Sequence, residues 1–203
     1  RRIGQRIVCD ASQAHKLADH VSDGEGSMAE PLSVALHAVN RAGPLLGKSV
    51  LVTGCGPIGA LVVIAARRAG ATHIVATDMA AQPLRAALKV GADQAINVAQ
   101  QPDALAVFTA DKGQFDVLFE ASGNARALVG AFDVLRPRGI IVQLGLGGEM
   151  TLPINTLVAK EFDLRGAFRF HAEFAVAVEL LNKRLVDVKP LISATLPYRD
   201  AGK

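Results

Sequence analysis

Gly54, Gly56 and Gly59 are spaced as G-x-G-x-x-G, and Asp78 stands 19 positions past the last of them. The first glycine permits a tight turn, and the second lets the backbone approach a diphosphate. The third lets a helix pack close to a strand. An acid about 20 residues further on can accept hydrogen bonds from a ribose. Its charge repels a 2′-phosphate, so the pattern predicts NAD rather than NADP. The motif gains weight from its flanks. Lys48-Ser-Val-Leu-Val-Thr53 is a short apolar strand before it, and Ala60-Leu-Val-Val-Ile-Ala-Ala-Arg-Arg-Ala69 is an apolar helix after it. A second strand, His73-Ile-Val-Ala-Thr77, delivers Asp78. Unpaired N–H groups at the helix start would face the phosphates. The alternative is a glycine-rich turn that binds nothing, and it leaves the register of strand, helix and acid without a cause.

The elements that must position these residues alternate. Strands are expected near 49–53, 73–77, 94–97, 115–119, 138–144 and 163–168. Helices are expected near 58–69, 81–90, 102–110, 125–134 and 172–183. Upstream, residues 5–9 read as a strand and 12–15 as a short turn. A helix follows from Ser27 through about Arg41, with Glu30 at its entrance and Pro31 in its first turn, and Gly43-Pro44 breaks it. Six strands separated by helices define an α/β protein with a doubly wound parallel sheet of the Rossmann type. Ligands of such sheets lie across the carboxyl ends of the strands. That rule selects residues 54–59, Pro57 and Ile58 included, with Asp78, Ala121-Ser122-Gly123, Gly145-Leu146-Gly147 and Phe168-Arg169-Phe170. Gly147-Gly148 taken alone is an ordinary glycine loop.

Half of the 203 residues are apolar, enough for a sizeable core, and aromatics are scarce at 4 %. The net charge of +3 comes from scattered Lys and Arg, without the basic runs that nucleic-acid binding needs. Every long apolar stretch is interrupted by Gly, Pro or Arg, so no membrane span is expected. Cys9 and Cys55 lie far apart in no metal-ligand spacing, which fits a reduced, cytoplasmic protein. The abrupt ends, Arg1-Arg2-Ile and Tyr198-Arg-Asp-Ala-Gly-Lys203, read as cuts through a larger protein.

The order of motifs resembles a family. Ala29-Glu30-Pro31-Leu32-Ser33-Val34-Ala35-Leu36-His37-Ala38 precedes the glycine loop by about twenty residues. This is similar to the zinc-dependent medium-chain alcohol dehydrogenases, on their sorbitol-dehydrogenase branch. Lys112-Gly-Gln-Phe-Asp-Val-Leu-Phe-Glu-Ala-Ser-Gly123, Val142-Gln-Leu-Gly-Leu-Gly-Gly148 and Leu164-Arg-Gly-Ala-Phe-Arg-Phe170 resemble the L-idonate 5-dehydrogenases within it. The resemblance implies oxidation of a secondary alcohol on a sugar acid or polyol, with zinc stabilising the alkoxide and NAD taking the hydride. It implies remnants of a GroES-like catalytic domain over 1–31 and 185–203, with the cofactor domain over 32–184. Ile58 and Asp78 match cofactor contacts. Leu144, Gly145 and Leu146, with Ala167, Phe168 and Arg169, match segments beside the nicotinamide. Glu30 matches an acid close to the catalytic zinc, in contact with the metal or a water on it. Arg169 and Phe170 match a substrate-side pair.

Two positions depart from the sorbitol enzymes: Phe170 where they carry Tyr, and Pro83 where they carry an Arg over the adenine ribose. The first removes a hydroxyl donor, while the Arg169 guanidinium remains able to pair with a carboxylate. The family's main zinc ligands, a Cys and a His-Glu pair, and its four structural-zinc cysteines have no match here. These 203 residues alone are therefore expected neither to hold zinc tightly nor to turn over substrate. Kinship also implies a homodimer or homotetramer, with residues 138–168 supplying a sheet edge.

Other residues read as structural. His37 is a core histidine on an apolar helix, and His15, His20, His73 and His171 are surface groups. Asp116 and Glu120 cap loops. Cys9 is a small buried hydrophobe, and Arg67 and Arg68 lie where a helix meets solvent. The competing function is an NAD-sensing module, which needs neither Glu30-Pro31 nor Arg169. Within the enzymes, sorbitol, xylitol and threonine dehydrogenases compete.

Overall fold

Val50, Val52, Ile74, Ala76, Val117 and Phe119 are buried in one apolar cluster, and Leu51, Val75 and Leu118 in another. Successive residues of a strand face opposite ways, so a sheet covered on both faces needs nearly continuous apolar strands. The computed structural model describes residues 8–197 and residue 200. Its strands are β1 (Ser49–Thr53), β2 (His73–Asp78), β3 (Gln94–Asn97), β4 (Phe115–Glu120), β5 (Leu135–Gln143) and β6 (Asp163–Gly166). Its α-helices are α1 (Asp23–Ser27), α2 (Ala29–Ala42), α3 (Pro57–Arg68), α4 (Ala81–Lys89), α5 (Ala125–Gly130), α6 (Ile154–Ala159) and α7 (Glu173–Asn182). All neighbouring strands run parallel, in the order β3-β2-β1-β4-β5-β6. This is the Rossmann order, and it reverses direction between β1 and β4, where the crevice opens. Among the described residues no helix is long and apolar enough to cross a membrane.

Helix α3 is buried through residues 59–66, consistent with its lack of a polar face. Pro57 starts it, and Arg67 and Arg68 close it where the helix dipole favours cations. Arg67 also donates to the carbonyls of Ala71 and Gly91 and to Asp93. Helix α2 begins as expected, with Glu30 and Pro31 in its first turn.

Several boundaries differ from expectation. Residues 102–110 form no α-helix but 3-10 turns over Ala104–Phe108 and Ala110–Lys112. Asp111 takes a φ of 54° and Lys112 one of 67°, which no right-handed helix accommodates. Helix α5 stops at Gly130, a poor helix former, and Ala131 and Phe132 close it with bonds to Leu128 and Val129 carbonyls. β5 starts earlier than expected because Phe115 pairs with Leu135 before the register shifts. β6 ends at Gly166 rather than 168, since the chain turns away toward α7. β5 lies inside the sheet, so only β6 of the 138–168 region stands at the edge.

Two helices were not anticipated. Helix α1 carries a capping box, in which Ser22 and Glu25 bond each other's backbone N–H. The Ser22-x-x-Glu25 spacing signals it. Helix α6 follows Pro153. Most of the strand expected over 5–9 lies outside the described residues. Val8 and Cys9 are described, belong to no regular element and are exposed, so Cys9 is not a buried hydrophobe.

At the end of α6, the Lys160 ammonium donates to the carbonyls of Phe132 (2.7 Å), Leu135 (2.8 Å), Lys112 (2.9 Å) and Asp133 (3.2 Å). Burial lowers this lysine below its ordinary range, opposed by the charge of Asp133. The contact pins the turn that leads into β5. Lys160→Met should cost about 2 kcal/mol, since bonds to a charged donor are lost together. A lower urea midpoint, with faster hydrogen exchange over 131–135, is the expected result.

Candidate functional site

The glycine loop sits where β1 gives way to α3. Gly54 has a φ of 82°, and its N–H donates to the Thr77 carbonyl, extending the β1–β2 ladder by one residue. Gly59 packs so closely that a Cβ there would collide with the Gly54 carbonyl. In front of Gly56 nothing lies within 4 Å of where a Cβ would be. Gly56 is also the N-cap of α3, with no side chain capping it. The first turn of a helix leaves N–H groups without intrahelical partners. The open cradle and the uncapped helix start fit a diphosphate.

Asp78 ends β2 beside this loop. Its Oδ2 accepts from the Cys55 N–H (2.8 Å) and its Oδ1 from the Ala80 N–H (2.9 Å). Each carboxylate oxygen keeps a further acceptor site for a ribose hydroxyl. The same acid therefore fastens the loop and faces the crevice. Cys55 is buried within the loop. Burial, and then the charge of Asp78, push its thiol up to about 12.

A second carboxylate organises the other side of the crevice. Glu120 is completely buried at the end of β4. Its Oε1 accepts from the Ser122 N–H (2.9 Å) and the Ser122 hydroxyl, with the Thr53 hydroxyl at 3.4 Å. Its Oε2 accepts from Gln143 Nε2 (2.6 Å) and the Gly123 N–H (3.0 Å). The Gln143 amide also donates to the Gly145 carbonyl at 2.8 Å. The ends of β1, β4 and β5 thus meet on one anion. A Cβ on Gly145 would collide with the Gly123 backbone, so the two loops touch directly. Gln143 Oε1 is buried without a hydrogen-bond partner among the described residues, an acceptor that a ligand donor or water would satisfy.

Glu120 caps its loop as expected, whereas the part played by Gln143 was not anticipated. Ser122, expected at the cofactor, has its hydroxyl donating to Glu120 and accepting from the Asn124 N–H at 3.1 Å. Asp116, at the other end of β4, holds the Ser49 N–H and Arg136 far from the crevice.

Leu144 and Ala167 pack partly against the core, while Leu146 and Phe168 are largely exposed. Arg169 is exposed, its guanidinium 5.1 Å from the centre of the Phe168 ring. Phe170 rests against Phe174, ring centres 5.8 Å apart. Three histidines expected as lone surface groups have partners. His15 packs on Phe174, His73 stacks on Phe115 and meets the Ser49 hydroxyl, and His171 lies edge-on to His37. His37 Nδ1 is 3.1 Å from the carboxylate of Glu173, a residue that sequence reasoning passed over.

Glu30 is exposed in the first turn of α2. No hydrogen bond or ion pair among the described residues joins it to Arg169. Nor do any three His, Cys, Asp or Glu among them come together as a metal centre. These residues fit a dinucleotide and do not by themselves fit zinc. A cavity of about 520 Å³, lined by Arg67, Arg68 and Lys89 among others, lies at the opposite end of α3.

A Rossmann sheet with a glycine loop, an acid at the end of β2 bonded to that loop and a second loop cluster across the switch point has the form of a dinucleotide-binding domain. Residues 57–183 match the family model described as zinc-binding dehydrogenase. The chain is 43 % identical over 175 residues to L-idonate 5-dehydrogenase (NAD(P)(+)) of Escherichia coli, covering 86 % of this chain and 50 % of that protein. It is 38 % identical over 195 residues to the sorbitol dehydrogenase of Gallus gallus, covering 94 % of this chain and 55 % of the relative. The crystal structure of the Escherichia coli L-idonate 5-dehydrogenase superposes with a TM-score of 0.85 at 40 % identity, over 90 % of this chain and 52 % of that one. The chain belongs to the zinc-binding dehydrogenase family, and it spans about half the length of these relatives.

The two thiols should differ sharply. A disulfide reagent at pH 8 is expected to modify exposed Cys9 quickly and Cys55 only on unfolding, read as one fast thiol per chain. Acid titration tests Glu173. Burial pushes its carboxyl up, but bonds from the His171 N–H, Asn40 and His37 outweigh this and hold it at about 2, against 4.5 ordinarily. A depressed native value means the unfolded chain takes the proton first, so this stabilisation is present above pH 4.5 and is lost as pH falls toward 2. Urea midpoints should drop across that interval more steeply in the wild type than in Glu173→Gln.

Proposed function

We propose that this chain is the cofactor-binding part of an NAD- and zinc-dependent oxidoreductase. Its reaction is the reversible oxidation of a secondary alcohol on a sugar acid, L-idonate to 5-ketogluconate. The observation that carries the proposal is the glycine loop fastened to Asp78 at the switch point of the sheet. Gly54, Gly56, Pro57, Ile58 and Gly59 would hold the diphosphate, and Asp78 the adenosine ribose. Asp78 leaves no room for a 2′-phosphate charge, which is the argument for NAD over NADP. Ser122, Gly123, Leu144, Gly145, Leu146, Ala167, Phe168 and Arg169 would flank the nicotinamide. When bound, that ring accepts the hydride from the carbinol carbon, and the task of these segments is to hold it in place and exclude water.

Arg169 and Phe170 face the substrate in this proposal. A guanidinium pairs with a carboxylate through two parallel bonds, which favours a sugar acid over a neutral polyol. Glu30 takes the place of an acid next to the metal, whose other ligands are not among the described residues. Free Cys9 and Cys55 accord with a cytoplasmic setting. A homodimer or homotetramer would use the open edge of β6, where Leu164 is 44 % exposed.

The test is initial rates of the whole enzyme of which this chain is proposed to be the cofactor-binding part, with zinc, on L-idonate, D-gluconate, sorbitol, xylitol and L-threonine, with NAD and NADP in parallel. The expected result is preference for L-idonate with NAD, and about a tenfold or greater loss of NADH affinity in Asp78→Ala, because a charge-assisted ribose contact is removed. Activity on polyols alone would move the protein to the sorbitol branch. Binding of NADH with no turnover of any substrate would favour a sensing module.

A further inference from the structure

Segment 167–170 leaves β6 and turns toward α7 through Arg169, whose φ of 57° lies in the left-handed region. A non-glycine residue enters that region at a cost, and such strain persists where the surroundings over-determine it. Glu173, the first residue of α7, supplies the constraint. Its Oε2 accepts from the His171 N–H at 2.8 Å. Its Oε1 accepts from Asn40 Nδ2 at 3.0 Å and stands 3.1 Å from His37 Nδ1. The His171 ring meets the His37 ring edge-on, centres 5.1 Å apart.

His37 and Asn40 both belong to α2, so a single carboxylate fastens the segment to that helix. His37 follows Glu30 by seven positions, which puts the two on one face of α2, about 10 Å apart along its axis. Any exposed acid would serve the dipole of α7. A carboxylate only 8 % exposed, with donors from two separate elements, does more than that.

We propose that Glu173, with His37 and Asn40, is a clasp that holds segment 167–170 in the shape that meets the nicotinamide end of the cofactor. Glu173 is thus a positioning residue. The inference rests on the cofactor reading above and adds the group that fixes its nicotinamide side.

The test compares two ligands that share the adenosine diphosphate ribose but not the ring. NADH and ADP-ribose are titrated into wild type, Glu173→Ala, Glu173→Gln and His37→Ala, with hydrogen exchange followed over 167–172. In Glu173→Ala, NADH should bind about tenfold more weakly while ADP-ribose stays within about twofold, because only the nicotinamide side has lost its support. Exchange over 167–172 should rise about tenfold for the same reason. Glu173→Gln keeps an acceptor for the His171 N–H and should recover part of the loss. His37→Ala should give the same pattern more weakly, and it carries the test if Glu173→Ala does not fold. Unchanged NADH affinity, or equal weakening of both ligands, would overturn the clasp. A wild-type protein that binds neither ligand would overturn the cofactor reading itself, and the clasp with it.

Discussion

The carboxylate of Glu120 is the constraint on which the crevice depends. A buried charge is costly unless donors surround it. Here the donors come from β1, from the loop after β4 and from β5, so solvating the charge and assembling the site are one event. Ser122 passes the constraint on, since its hydroxyl accepts from the Asn124 N–H and Asn124 in turn caps α5. The strand that carries Glu120 has a second acid at its amino end. Asp116 gathers Ser49, Lys48 and Arg136 there, where half-exposed cations are screened by water. One strand thus carries two acids with different tasks. The dry one shapes the crevice, and the wetter one ties down the far rim.

Much of this was legible in the sequence. The central strands were readable because a sheet buried on both faces demands apolar runs, and runs such as Val50 to Val52 or Val117 to Phe119 admit few alternatives. The loop and its acid were readable because each glycine answers a steric demand, as the Gly59–Gly54 contact makes plain. The left-handed residues Asp111 and Lys112 were not, since Lys is no sign of a positive φ and Asp, though it enters that region more readily than most, is commoner elsewhere. Helix α1 was legible in principle, through the spacing of Ser22 and Glu25.

The site divides in the same way. Contacts within a short span, such as Glu120 with Ser122 and Gly123, follow from local geometry and were anticipated as capping. Contacts across the chain were hidden. His37 and Glu173 lie 136 positions apart, and a histidine on an apolar helix gives no sign of which acid it will meet. The exposure of Arg169 was hidden too. Arg169 stands between two phenylalanines, yet Phe168 itself is 62 % exposed, with the guanidinium 5.1 Å from its ring centre.

The bond from the Cys55 N–H to Asp78 has a consequence for the timing of events. A glycine-rich loop left slack would lose its freedom when a ligand arrives, and affinity would fall by that amount. Here the loss is taken during folding, because the acid already grips the loop. Capture of a dinucleotide then resembles docking onto a finished surface, with little waiting for the chain to rearrange.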